Sequence, residues 1–205
     1  MNSPAPLAET FGPIDIYLLD QLLRGRIVKG MRVLDCGCGQ GRNLLYLFRE
    51  GFDVWATDQD ARAVEAVRSR AASLAPHLPP GHFRVESVES PSFADGSFDV
   101  VISSAVLHFA RDHAHFDAMV DAMWRLLAPG GVLFARLASS IGMADRMRAL
   151  GGGRFLLPDG SERYLVDEPR LMATTARLGA RLLDPLKTTV VQDQRCMTTW
   201  VAARP

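Results

Sequence analysis

The run Val33-Leu34-Asp35-Cys36-Gly37-Cys38-Gly39-Gln40-Gly41 restricts the fold more than any other part of the chain, because apolar residues pass directly into three glycines spaced two apart. Glycine reaches positive φ at little cost and lets a backbone approach a bound molecule, so a strand that ends this way turns sharply and leaves a hollow at its tip. Residues 43–50 then read as a helix that Gly51 stops, and residues 53–57 as a second strand ending at Asp58. A strand–helix–strand unit with a glycine-lined turn is the seed of a parallel sheet with helices on both faces.

The same alternation continues in both directions. Residues 14–26 place Ile16, Leu19, Leu22 and Leu23 at helical spacing, and Gly25 and Gly30 lead into a first strand over 31–34. Downstream, 61–74 predicts a helix, 82–86 a third strand, 98–103 a fourth, and 112–127 a helix closed by Pro129-Gly130 before a fifth strand over 131–137. The stretch 138–168 is less regular. A helix then reaches Leu178, and two β-rich runs, 185–192 and 196–203, make a closing hairpin around Asp193-Gln194.

A chain of 205 residues, 48% hydrophobic and without internal repeats, reads as one domain over 1–205. Lys plus Arg and Asp plus Glu each total 23, so the basic excess that a nucleic-acid partner demands is missing. Neither a secretory leader nor a membrane-spanning run is read from the sequence, which predicts a cytoplasmic protein, monomer or homodimer, with reduced thiols at Cys36, Cys38 and Cys196.

The hollow's ligand follows from charge and bulk. A dinucleotide fingerprint counted from Gly37 would put glycine or alanine at its sixth position, where this chain has Arg42, too large for close helix–strand packing. Asp35 at the strand's mouth would repel a pyrophosphate yet suits the ammonium and sulfonium of a methionine moiety, which favours S-adenosylmethionine (SAM). Asp58 can accept from both ribose hydroxyls, whereas Asp60 stands where an acid caps the next helix.

Taken together, VLDCGCGQGRN, ATDQD, SFADGSFDVVISSAVLHF and LAPGGVLFARL, in this order over residues 14–137, resemble the class I SAM-dependent methyltransferases. The glycine segment with Arg42-Asn43 is similar to their small tellurite-resistance type. The resemblance implies a Rossmann-like α/β fold with a seven-stranded, mostly parallel sheet, helices on both faces and a C-terminal antiparallel hairpin. It also implies methyl transfer to a small-molecule acceptor without a metal. By the same resemblance Asp35, Gly37, Gly39, Gly41 and Asn43 line the methionine portion, Asp58 binds ribose and Gln59 flanks the adenine. Ser87, Val88 and Glu89 border that ring, Ser104 lies by the transferable methyl, and Tyr17 belongs to an N-terminal cap over 1–30. Many relatives have Asp-Ala where this chain has Ser87-Val88, so an acidic adenine contact is lost unless a hydroxyl, Glu89 or main chain substitutes.

The resemblance implies that the end of the fourth strand lies beside the transferable methyl, which makes His108 the candidate catalytic acid–base, with local packing at the strand–helix turn as its other reading. His113 and His115 are two apart on a helix and face different sides, so no metal is assigned. Met119, Met123, Trp124 and Leu127 read as core, and Arg68 and Arg70 as a solvated face. Segment 139–168, with Arg146, Arg148, Arg154, Arg163, Phe155 and a triple glycine, is a candidate substrate lid whose arginines either bind an acid or are surface charge. Two other functions share these residues: non-catalytic SAM binding or sensing, and NAD(P)-dependent oxidoreduction, against which Arg42 and Asp35 argue.

Overall fold

A computed structural model describes residues 7–205, and residues 1–6 of the expected cap lie outside the described residues. In chain order the elements are α1 Leu7–Phe11, α2 Ile16–Leu23, β1 Arg32–Cys36, α3 Leu45–Arg49, β2 Asp53–Asp58, α4 Ala61–Leu74, β3 Phe83–Val85, β4 Phe98–Ser104, α5 His113–Leu126 and β5 Leu127–Ala138. There follow β6 Arg148–Gly151, β7 Arg154–Leu156, β8 Glu162–Tyr164, α6 Glu168–Arg177, β9 Arg181–Leu182, β10 Lys187–Val191 and β11 Arg195–Ala203. The main sheet runs β10-β11-β5-β4-β1-β2-β3, with β9 as a short eighth strand on β11. Strands β5, β4, β1, β2 and β3 are mutually parallel, while β11 pairs antiparallel with β5, β10 and β9.

The central strands are apolar on both sides because helices cover both faces. Val33, Val100, Ile102 and Phe134 pack with Leu18 of α2, Leu47 and Phe48 of α3, and Val64 and Val67 of α4. Leu34, Val101, Leu133 and Ala135 face the other way, onto Phe116, Val120 and Met123 of α5 and Leu171 of α6. Each fully buried side chain of this size stabilises by roughly 1.5–3 kcal/mol, so both halves of the sandwich hold the sheet. No helix among the described residues is long and apolar enough to cross a membrane.

Three expectations change. The N-terminal helix is split into α1 and α2, with Asp15 accepting from the Tyr17 N–H to cap α2, and its apolar stripe is not the predicted one. Ile16 and Leu23 are 65% and 74% exposed, while Gln21 is buried and donates to Asp184. Strand β5 begins four residues early and runs through Pro129-Gly130, because a register shift between Phe98 and Val100 on β4 absorbs the irregularity.

The third change is the stretch read as irregular, which contains a three-stranded antiparallel sheet, β6-β7-β8, docked on the main body. Tyr164 at its end is fully buried, stacks on Phe116 and has its hydroxyl 2.9 Å from His113 Nδ1. The triple glycine permits that docking: a Cβ on Gly153 would lie 2.4 Å from Tyr164 Cε2 and 2.7 Å from His113 Cε1.

Candidate active site

The turn after β1 is held by backbone. The Gly37 and Cys38 N–H groups both donate to the Thr57 carbonyl at 2.8 and 3.0 Å, tying the turn to β2. Gly37 has φ +74°, and a Cβ there would lie 2.5 Å from Val106 Cγ2, so no other residue fits without displacement. At the end of β2, Asp58 Oδ2 accepts from the Gly39 N–H and Oδ1 from the Asp60 N–H, each at 2.9 Å. Asp60 itself accepts from Arg62 N–H and caps α4.

These turns open a cavity of about 620 Å³ beyond the C-terminal ends of the parallel strands, where α/β sheets hold ligands. Asp35, Gly37, Gly39 and Asn43 line it from the first turn, Asp58 and Gln59 from β2, Ser87, Val88 and Glu89 from the segment after β3, and Ser104 from β4. Gly41 and Tyr17 do not. Gly41 packs beside Val67 of α4, and the Tyr17 hydroxyl lies 2.8 Å from Thr189 Oγ1 with its ring beneath Arg136. Asn43 is oriented by structure, its Oδ1 accepting the Asp15 N–H.

Asp35 is 2% exposed, and its carboxyl has neither a hydrogen bond nor an ion pair among the described residues. Burial pushes its carboxyl up to about 7; Arg42 pulls it down and Asp58 adds to the rise. At the opposite wall, His115 Nδ1 accepts from the Arg111 N–H at 3.1 Å, and its Nε2 lies 3.3 Å from Glu89 Oε1. Burial works against the Glu89 charge, but its own backbone N–H, His115 and Arg111 outweigh it and hold the carboxyl below its usual range.

His108 lies elsewhere. It sits on a single 3₁₀ turn, Leu107–Phe109, and lines a second cavity of about 310 Å³ together with Arg136, Asp159, Arg163 and Arg195. The two cavities share Arg42 and Ala105. His108 is 8% exposed, its Nδ1 has no hydrogen-bond partner, and burial, with a contribution from Arg163, lowers it to about 4. It is therefore a neutral imidazole at physiological pH. Ala105, at the junction, has φ +65°, an uncommon conformation for a residue with a Cβ and one that concentrates at functional positions.

Arg42, used in the sequence only to argue against a dinucleotide, reaches across this junction, donating to Ser104 Oγ at 3.1 Å and lying 3.6 Å from Asp15. Buried Asp15 also pairs with Arg136 at 2.7 Å. Of the lid arginines, Arg146 pairs with Asp193, and Arg154 pairs with Glu162 and the Ala110 carbonyl, while Arg163 lines the second cavity. Phe109 and Arg111, not singled out in the sequence, line the first cavity together with His115 and Met119 of α5, which meets the glycine turn only in the folded chain. Met119 is core as expected, yet its side chain also closes the cavity. Cys36 and Cys38 pack into opposite faces of the sheet, and no group of potential metal ligands exists among the described residues.

Residues 34–135, about half of the chain, match the family model described as a methyltransferase domain. The ubiquinone biosynthesis O-methyltransferase of Brucella anthropi is 29% identical over 164 residues, covering 78% of this chain and 64% of that protein. The enzyme of the same name from Methylocella silvestris is 34% identical over 110 residues, 54% of this chain and 41% of that one. The chain thus spans a little under two thirds of the length of the curated relatives it matches. A SAM-dependent methyltransferase of Methanosarcina mazei superposes with a TM-score of 0.72 at 21% identity, covering 89% of this chain and 96% of that one. Magnesium protoporphyrin IX methyltransferase of Synechocystis gives 0.69 at 17% identity over 93% of this chain and 77% of that one. The strand order, the glycine turn and the family match agree, and the chain belongs to the class I SAM-dependent methyltransferases.

Proposed function

We propose that the chain binds SAM in the first cavity and transfers its methyl group to an oxygen of a small molecule held in the second. The observation that carries this reading is Asp35: a buried carboxyl without a hydrogen bond or ion pair among the described residues, lining a cavity, ionises more readily when a cation is brought to it. Bound SAM supplies that cation and an electrophilic methyl group on sulfur.

In this reading Asp35 faces the charged methionine end, with Gly37, Gly39 and Asn43 forming its wall and Ser104 closing the β4 side. Asp58 accepts from the ribose hydroxyls with the lone pairs left beside its two backbone bonds. Gln59, Ser87, Val88 and Glu89 border the adenine, with Met119 and His115 opposite. Gly41 serves the turn, and Tyr17 belongs to the cap rather than to the ligand's contacts.

His108 takes the proton from the acceptor hydroxyl; its ring is neutral and its Nδ1 unpaired, the state a general base needs before reaction. The junction at Ala105 and Arg42 sets acceptor and donor in register, which for an in-line displacement supplies most of the acceleration. Segment 139–168 forms the outer wall of the acceptor cavity through Leu157, Asp159, Ser161 and Arg163 and is assigned as a substrate lid. The oxygen acceptor is supported by the relatives, whose names are those of O-methyltransferases.

Calorimetric titration tests the cofactor assignment. SAM is expected to bind and NADH not to, with Asp58→Ala weakening SAM by about 100-fold, the size of two charge-assisted hydrogen bonds, while the protein stays folded. A screen of small hydroxylated acceptors read by S-adenosylhomocysteine release then scores transfer. Binding of NADH but not SAM, or full SAM affinity in the variant, would refute the assignment.

A further inference from the structure

The second cavity holds more positive charge than the fold consumes. Arg42, Arg136, Arg163 and Arg195 line it, and with Asp159 in its wall and Asp15 behind Arg42 and Arg136, two positive charges remain in excess. Asp15 satisfies Arg136 and approaches Arg42. Arg163 donates to the Glu162 backbone carbonyl and covers the Phe109 ring, but neither it nor Arg195 pairs with a carboxylate among the described residues. Asp159 is held below its usual range mainly by Ser161, through both its hydroxyl and its N–H, with Arg195 and Arg163 acting only from a distance.

Two buried groups of the same cavity also lack partners. Arg136 Nε and His108 Nδ1 are shielded from solvent and bonded to nothing in the protein. Buried polar atoms are almost always satisfied, and residues that carry unsatisfied ones, lining a cavity beside guanidinium groups that no carboxylate pairs, mark a place where a ligand can complete the bonding. Arginine rather than lysine at all four positions favours a flat or tetrahedral group of oxygens, which the guanidinium fork can bind through two N–H groups at once.

We infer that the methyl acceptor carries an anionic oxygen group, a carboxylate or a phosphate, bound by Arg163 and Arg195, so that its reacting hydroxyl is directed to the junction at Ala105 beside His108. The two arginines come from different strands, β8 of the small sheet and β11 of the main sheet, so the small sheet completes the acceptor site. The assignment rests on the methyltransferase reading, and its test separates the two.

Calorimetry on wild type, Arg163→Gln, Arg195→Gln and the double variant first scores SAM, whose affinity is expected to be equal in all four. Benzoate, phenyl phosphate and uncharged methyl benzoate are then titrated into protein saturated with S-adenosylhomocysteine. One of the two anions is expected to bind at least about tenfold more tightly than the ester, and the tighter one names the anionic group. The double variant is expected to lose about tenfold or more of that affinity, one charge-assisted pair being the minimum removed. Equal binding of ester and anions by wild type, or an unchanged anion affinity in the double variant, would overturn the acceptor assignment and leave the cofactor reading intact. Absence of SAM binding by wild type would instead overturn the methyltransferase reading and the assignment with it.

Discussion

The two cavities meet at Arg42 and Ala105 but are made from opposite materials. The first is set by backbone: the tips of β1, β2 and β4, a turn anchored on the Thr57 carbonyl, and two carboxylates at strand ends. The second is set by side chains from β5, β8, β10, β11 and the turn between β7 and β8, elements that come together only after the antiparallel half of the sheet and the small sheet have formed. A parallel strand ending in glycines produces the first wherever it occurs. Nothing in the topology dictates arginines in the second, and in the proposed reading that is where a shared scaffold acquires its own substrate.

The contrast breaks most readily at Gly37. Its φ of +74° and the 2.5 Å approach of Val106 to a hypothetical Cβ make Gly37→Ala both strained and overpacked. We expect a loss of about 3 kcal/mol in denaturant unfolding, the sum of a left-handed residue and an added buried methyl. Arg195→Gln, on the other cavity, is expected to change stability by under about 0.5 kcal/mol, as surface substitutions do. Equal effects would mean that backbone does not hold the first cavity in the way argued.

His108 sharpens the same division from the other side. Its substitution by alanine is expected to lower turnover by about 100-fold, the usual contribution of a general base, while SAM affinity moves by less than about twofold. Because burial depresses this histidine to about 4, the stability tied to its neutral form is full above its ordinary 6.5 and is lost as pH falls toward about 4. Turnover in wild type should therefore show no loss from this group between about pH 7 and pH 5. Steady-state kinetics across that range decides the point; a fall centred near 6.5, or unaltered turnover in the variant, would return His108 to a packing role.

How far each region could be read from the sequence follows the same line. Asp35, Gly37 and Gly39 lie within one contiguous motif and Asp58 ends the next strand, so their place in the lining of the first cavity was legible, as was α4, whose limits of 61 and 74 agree with its spacing. The small sheet was not, because strands of three or four residues that are half exposed carry too little alternation to register, and three glycines add none. Tyr17 stands outside the lining of the first cavity, and α2 turns differently from the expected stripe: Ile16 and Leu23 face solvent, and the buried side is marked by Leu18 and a polar residue, Gln21. Arg136 lies within the expected fifth strand and Arg195 beside the expected hairpin turn, and neither local pattern points to the cavity that the pairing of β5, β11 and β10 brings them to.

The smallest effect separates the cavities by pH. Asp35 is pushed up to about 7, chiefly by burial, so the protein without ligand holds this proton more tightly than the unfolded chain, whose carboxyl has its ordinary value of 3.8. The stability tied to that proton is complete below 3.8 and is lost as pH rises through about 7. A sulfonium and an ammonium brought to Asp35 displace the proton, so SAM affinity should rise by about tenfold between pH 6 and pH 8, one unit of coupled ionisation. Calorimetry in buffers of different ionisation enthalpy should register the released proton, and Asp35→Asn should flatten both signals. The arginine-lined cavity contains no group that titrates in this window apart from its ligand, since arginine stays charged and His108 stays neutral. Benzoate affinity should accordingly be level over the same interval. A level SAM curve in wild type, or an equal slope in Asp35→Asn, would remove the carboxylate from the cofactor's recognition and with it the electrostatic distinction between the two sites.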